Sequence, residues 1–316
     1  MRTSMTVKEF TKDFFHRDNC PLRKRKQLRG FDWTRQTMVA HKNNLKNWIL
    51  PQFGQKEIKT ITYKDIDDYF VQLISTKVLS DNTINHILHT IQIIFQEAYR
   101  QKIINCNFTK NVEKNRVVQT QKGILTHDEM LKLFQNDMNW KNKEQKIINE
   151  IACFTGMRIG EIIALGYMSI FEAEGHTFLY VNKSWDVVEG IVPTKTKKNR
   201  LIPIPEWLVQ EIKSISWISN FWFTNKHGKP VSRELVIKHF YHALNEIGIT
   251  QEERKKRNIT FHSWRHRFVS ELTGEIPQEE LQLIVGHSTE RMTMHYTQQI
   301  ADKTREIINS PFFQKE

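Results

Sequence analysis

His262-Ser263-Trp264-Arg265-His266 decides how this chain is read, together with Gly286-His287-Ser288 and Tyr296 after it and Thr155-Gly156-Met157-Arg158-Ile159-Gly160-Glu161 far upstream. Two arginines, two histidines and a tyrosine are the side chains needed to break a phosphodiester without a metal. As the phosphorus becomes five-coordinate, its non-bridging oxygens carry charge that must be neutralised. The planar, permanently charged guanidinium does this in a bidentate way. An in-line nucleophile and a proton for the leaving oxygen complete the chemistry. Arg158 and Arg265 are the candidate clamps and Tyr296 the candidate nucleophile. A free phenol titrates at about 10, so neighbouring cations must help it lose its proton. His262 lies three residues before Arg265 and Glu161 three after Arg158. On a helix each pair shares a face, and Glu161 is placed to orient Arg158 through a charge-assisted hydrogen bond.

The composition suits a globular protein that meets a polyanion. The 316 residues are enough for two domains with real cores. No apolar run reaches the length of a transmembrane helix, and the N-terminal stretch lacks the apolar region of a signal peptide. The three cysteines, Cys20, Cys106 and Cys153, are far apart, which reads as reduced thiols. A cytoplasmic, DNA-associated protein without membrane contact is expected. The net charge of +12 is uneven: residues 1–120 hold 21 Lys+Arg against 11 Asp+Glu, whereas residues 121–316 hold 26 against 24. The front half is the part expected to grip nucleic acid, since phosphate neutralisation supplies most non-specific affinity.

The spacing of apolar residues gives a mainly α (α+β) chain: a helical first domain, then a mostly helical second domain with a small antiparallel sheet. Residues 1–107 read as the first domain. Val7, Phe10 and Phe14 start a helix, and Arg23-Lys24-Arg25-Lys26 interrupts it as a basic loop. A long helix follows Thr34 and ends at Pro51 and Gly54. Thr62 caps a helix from Tyr63 to Leu73, and Ser80-Asp81 opens another carrying Ile84, Ile87, Leu88, Ile91, Ile94 and Phe95. Residues 108–122 lose the periodicity and read as an interdomain linker. Residues 123–316 form the second domain. Thr126 and Glu129 have capping-box spacing, and a buried helix from Lys146 to Phe154 leads into the Arg158 segment. Thr177–Val181, Asp186–Val188 and Leu201–Ile204 read as strands, with helices at 234–247, 261–272 and 301–309. Asn82, Thr83, Asn85 and His86, at the start of the Ser80 helix, offer groups suited to base edges.

Taken together, Thr155-Gly156-Met157-Arg158 with Glu161, the lysines of Thr194–Pro203, the His262–His266 box, Gly286-His287-Ser288 and Tyr296 resemble the tyrosine recombinases, the integrases of phages and conjugative elements. The resemblance covers essentially the whole chain, and the nine-residue interval from His287 to Tyr296 matches the family spacing. It implies that Arg158 and Arg265 bind the scissile phosphate while Tyr296 attacks it. The products would be a 3′-phosphotyrosyl link and a 5′-hydroxyl. His262 and His287 would assist phosphate binding and proton movement. A hairpin lysine would protonate the departing oxygen. Lys195, eight residues before Pro203, stands where the family's lysine tends to fall; Lys197 and Lys198 compete for that role or contact the DNA backbone. The resemblance further implies recombination sites in double-stranded DNA as partner, a homotetramer on DNA, possible accessory DNA-bending or directionality factors, and no cofactor, metal or ATP. The C-terminal tail would pack on a neighbouring protomer or in cis. Trp264 departs from the leucine common in the box. The run Arg254-Lys255-Lys256-Arg257 is expected to touch phosphates or stay solvated. The residues before Phe31 look too few for an arm-binding domain, so either core sites alone are bound or such a domain is missing.

Three rival readings remain at this level. A type IB topoisomerase-like enzyme, cutting and resealing one strand, would use nearly the same residues. A metal-dependent hydrolase would need HExxH, and Ser263 stands where the glutamate belongs. A DNA-binding regulator would need only the front half and leaves Arg158, Arg265 and Tyr296 unexplained.

Overall fold

The computed structural model describes residues 5–16, 19–31, 33–117, 122–173, 175–195, 198–216 and 219–286. The chain forms two compact units, Met1–Gln119 and Thr120–Glu316. Among the described residues no helix is long and apolar enough to cross a membrane.

The first unit is helical. Thr6 caps α1 (Val7–Phe10) with a capping box to Glu9. The basic run expected as a loop is helical instead, on α2 (Pro21–Gln27). Pro21 sits at its start, where the missing N–H removes no bond and the ring presets φ. Lys and Arg are good helix formers, and Leu22 is the one residue it buries, so no apolar period marks the helix. Arg25 Nη2 lies 2.5 Å from the buried carboxylate of Glu97, which also pairs with Arg100.

The long helix also departs from expectation. α3 (Arg35–Asn44) passes through a π-helical stretch, Leu45–Ile49, into α4 (Leu50–Phe53). The chain therefore remains helical through Pro51 and stops at Gly54. The widened turn, in which the Leu50 N–H reaches back to the Leu45 carbonyl, accommodates a residue that cannot donate.

α5 (Tyr63–Thr76) starts at the Thr62–Asp65 capping box. α6 (Asp81–Arg100) is capped by Ser80 and buries the expected stripe from Ile84 to Phe95, extended by Ala98. The segment expected to start the linker packs on this core instead. Phe108–Asn111 makes a 3-10 turn and Val112 is buried. Asn85 and Asn115 then exchange two bonds, Asn85 Nδ2 to the Asn115 carbonyl and Asn115 N–H to Asn85 Oδ1, each 2.9 Å.

A histidine on this core makes a prediction. His41 Nδ1 lies 2.9 Å from Thr90 Oγ1, and the ring stacks on Phe15. Burial, with repulsion from His89, His86 and Lys26, pushes its pKa down from 6.5 to about 4. Above pH 6.5 the ring is neutral in both states and titration adds nothing. Below it the unfolded chain takes up the proton first, so stability falls as pH drops from about 6.5 to about 4. The melting temperature should decline across that window, and His41→Gln should shrink the decline. Calorimetry at pH 7.5, 6 and 5 checks this.

The second unit packs helices around a small sheet. α7 (His127–Gln135) begins at the Thr126–Glu129 capping box. α8 (Lys143–Thr155) is almost wholly buried and ends at Gly156, whose φ of +60° reverses the chain. A Cβ there would meet the Phe268 ring at 2.7 Å, so only glycine serves both the turn and the packing. α9 (Ile159–Ile163) follows.

Strands β1 (Ile170–Ala173), β2 (His176–Val181) and β5 (Arg200–Ile204) form one antiparallel sheet in the order β1-β2-β5, with Leu179 opposite Ile202. Between β2 and β5 the chain makes a separate hairpin of β3 (Lys183–Asp186) and β4 (Gly190–Pro193). Val187 and Val188, expected in a strand, lie in its turn. The Asp186 carboxylate accepts from the Val188 and Glu189 N–H groups, and Gly190 has φ +75°. This local capping outweighs the β preference of two valines.

Helices α10 (Glu206–Lys213), α11 (Arg233–Glu246), α12 (Gln251–Lys256), α13 (Ser263–Leu272) and α14 (Gln278–Val285) complete the described part. The helix expected near 301–309 lies outside the described residues.

Candidate active site

The Arg158 segment is built by the end of α8. Gly156 turns the chain, Met157 is buried, and Arg158 becomes the N-cap of α9. Glu161, three residues on, reaches back with both oxygens: Oε2 accepts from the Arg158 N–H at 2.9 Å and Oε1 from Arg158 Nη1 at 3.0 Å. The carboxylate thus satisfies an orphan donor of the helix start and fixes the guanidinium. Its side chain is 1% exposed whereas that of Arg158 is 23% exposed. The cation therefore faces outward on a buried anchor. Burial raises the Glu161 pKa, but Arg200 and Arg158 outweigh it and the carboxyl stays ionised.

Arg265 comes from the first turn of α13 and is buried. Nη1 donates to the Gly156 carbonyl at 2.8 Å and Nη2 to the Val285 carbonyl at 2.6 Å. It thereby joins the end of α8, which leads to Arg158, to the end of α14, which leads to Gly286-His287. Helix C-terminal carbonyls lack intrahelical partners and attract cations. Burial and repulsion from Arg158 and Arg200 push the Arg265 pKa down to about 10, which leaves it charged at neutral pH.

Trp264, beside it, is a core residue. Its Nε1 donates to Asn149 Oδ1 at 2.9 Å and its ring stacks on Phe134. It fills the place of a bulky packing side chain.

His262 occupies the N-cap of α13 with an exposed edge. The His266 ring meets it edge to face at 4.9 Å. Partial burial, with His266, Arg265, Arg158 and Lys122 nearby, lowers its pKa, so it is neutral at pH 7.

Lys195 is exposed on the loop between β4 and β5. Thr194 closes that loop by donating to the Lys198 carbonyl and accepting from the Lys198 N–H, at 2.8 and 3.1 Å. Lys198 is thus part of the loop's closure and half-buried. Lys197, His287 and Tyr296, with the C-terminal tail, lie outside the described residues.

The sequence reading missed Arg200. It opens β5, 6% exposed, with Nη1 and Nη2 on the two oxygens of Glu161 at 3.3 and 2.7 Å and Nε on the Ile284 carbonyl at 2.8 Å. A signal existed. Arg200 alternates with Ile202 and Ile204 on the buried face of its strand, and an arginine among core residues requires an acceptor. Arg158 and Arg200 thus share the Glu161 carboxylate, and Arg265 lies near enough to feel all three charges, an excess of positive charge suited to an anion.

The run Arg254–Arg257 is partly structural rather than solvated. Arg257 pairs with Glu129 and Glu253, and the Arg254 guanidinium stacks on the Tyr241 ring at 3.8 Å.

In the first unit the candidate DNA contacts separate. Lys24, Lys26, Asn82 and His86 are exposed, while Arg23, Arg25, Thr83 and Asn85 are half-buried. Arg25 is engaged by Glu97 and Asn85 by Asn115. The Thr83 hydroxyl lies 2.8 Å from that of Ser80. Arg25 and Asn85 are thus tied within the fold.

Comparison with known proteins places these features. The phage integrase family pattern matches residues 124–303, and that of the phage integrase N-terminal SAM-like domain matches residues 31–74. Tyrosine recombinase XerD of Staphylococcus haemolyticus is 23% identical over 290 residues, covering 86% of this chain and 91% of the relative. That of Oceanobacillus iheyensis is 25% identical over 284 residues, covering 87% and 91%. Among solved structures, the Tn1549 transposon integrase in complex with a circular intermediate DNA superposes with a TM-score of 0.69 at 22% identity, covering 93% of this chain and 95% of that one. A lambda integrase tetramer bound to a Holliday junction gives 0.65 at 19% identity, covering 85% and 76%. These structural likenesses establish the shared fold.

Proposed function

The chain belongs to the phage integrase family of tyrosine recombinases, and from that premise we propose that it cuts and rejoins double-stranded DNA at specific sites through a 3′-phosphotyrosyl intermediate. The observation that carries the reading is the pair of Arg158 and Arg200 on Glu161, with Arg265 and His262 within electrostatic reach of Arg158. Arg158, outermost on its carboxylate anchor, meets the scissile phosphate. Arg265 contributes positive charge from a position already fixed by backbone, so little reorganisation accompanies charge development.

The Tyr296 oxygen attacks phosphorus in line, and its proton passes to a histidine, His262 or His287. The bond to the 5′-oxygen breaks, and that oxygen takes a proton from Lys195. The chain becomes linked to the 3′-phosphate and a 5′-hydroxyl is released. Attack by a 5′-hydroxyl of another strand reverses each step and rejoins the DNA, with the bond energy held in the phosphotyrosine. Neither ATP nor a metal ion enters this sequence. Two duplexes require four cleavages, which calls for four copies of the chain on DNA. The exposed Lys24, Lys26, Asn82 and His86 of the first unit supply phosphate and base contacts.

The test is strand exchange between two labelled duplexes recovered by covalent capture of the chain from a random-sequence library. Recombinant products with exchanged ends are expected. Relaxation of supercoiled DNA without exchange would instead favour a topoisomerase-like enzyme.

A further inference from the structure

We propose that Arg200 is a positioning residue that locks Arg158 and the turn at Gly286 into one arrangement. This rests on the reading of Arg158 as a phosphate clamp. Three contacts carry it. The Arg200 fork faces both oxygens of Glu161, the carboxylate that holds Arg158. Its Nε holds the Ile284 carbonyl in the last turn of α14. Gly286, at φ +76°, lies against its side chain so closely that a Cβ would stand 3.2 Å from Nη1 and 3.5 Å from Cδ. The turn at Gly286 therefore lies directly against the Arg200 guanidinium.

The strand matters as much as the contacts. Arg200 opens β5, and the Lys195 loop closes two residues before it through Thr194 and Lys198. One guanidinium thus touches the anchor of Arg158 and the turn before His287, and sits at the foot of the loop bearing Lys195. Arg265 makes the parallel connection from Gly156 to Val285. Adjacent carbonyls of α14, Ile284 and Val285, are held by two different arginines. The turn can shift only if both let go. Lysine cannot reproduce this, because a single ammonium lacks the planar fork that spans a carboxylate and a carbonyl together.

The test uses the full chain and a nicked duplex recovered by covalent capture of the wild-type protein. Arg200→Lys keeps the charge and Glu161→Gln keeps the shape, so each preserves what folding needs most. The cleavage rate constant at saturating DNA should fall about 10- to 100-fold in each, the scale of a misplaced catalytic group. The DNA concentration at half-maximal rate should stay the same. Because the two residues share the Glu161–Arg200 contact, the double variant should be slower than the slower single by less than the product of the two losses.

A structural role alone would lower the amplitude of cleavage at an unchanged rate constant. That result overturns the proposal, as does a wild-type rate in Arg200→Lys or a double variant whose losses multiply. If the wild-type chain captures no DNA covalently, the reading on which the proposal rests fails with it, so the two failures are told apart.

Discussion

Tyr296→Phe should abolish covalent protein–DNA adducts on a nicked duplex and leave DNA binding intact. The oxygen removed is the one that bonds to phosphorus, and no other group in the proposed step replaces it. The expected fall in cleavage is on the order of 10^4-fold or more, as when a nucleophile is deleted from a covalent mechanism. Phenylalanine keeps the ring and removes only the hydroxyl, so the melting temperature and the affinity for duplex should change little. Denaturing gel electrophoresis of labelled DNA reads the adduct, and a mobility shift under native conditions reads the binding. An adduct that persists in Tyr296→Phe would place the nucleophile elsewhere.

The second large effect is expected at the arginines. Arg265→Lys should slow cleavage by about 10^3-fold, within the range for losing a preorganised donor or arginine at a phosphoryl centre. Charge is conserved in this variant, so Coulomb attraction for DNA persists and affinity should fall little. Geometry is what changes. The two carbonyls of Gly156 and Val285 are held by Nη1 and Nη2 of one rigid planar group, and the point-like ammonium of lysine lacks that fixed fork. Arg158→Lys should slow cleavage by a comparable factor for a different reason. Its side chain is partly exposed, so the loss there is bidentate contact with the phosphate itself. Single-turnover cleavage at saturating DNA distinguishes these rate effects from weaker binding.

Much of the fold was legible because it is local. The apolar stripe of α6 and the Thr62 and Thr126 caps are each written within a few residues. The pair of Arg158 and Glu161 is equally local, which is why the spacing alone placed it. What stayed hidden depends on distant partners or on weak local signals. α2 is a helix held by Pro21 at its start, one buried leucine and a cation reaching Glu97, and its charge density read as a loop. Arg257 finds Glu129 from the other end of the unit, so its run of basic residues looked solvated. Asn85 is taken by Asn115, thirty residues on.

Arg200 was masked by its neighbours. It stands in the basic string Lys195–Arg200, and only its alternation with Ile202 and Ile204 sets it apart from the lysines before it. The lowered pKa of His262 is likewise a property of assembly. It follows from burial and from the neighbours His266, Arg265, Arg158 and Lys122, two of which lie far away in sequence.

The most direct measurement of the central claim is the chemistry of the covalent junction formed in EDTA. The wild-type chain is incubated with a nicked duplex carrying a label on each side of the cut, digested with protease, and the DNA-linked peptide is sequenced by mass spectrometry. The account predicts that the peptide containing Tyr296 is attached to the 3′-phosphate, that the other fragment ends in a 5′-hydroxyl, and that chelation leaves the yield unchanged. Attachment to a different residue, a 5′-phosphate linkage, or loss of the adduct in EDTA would contradict it.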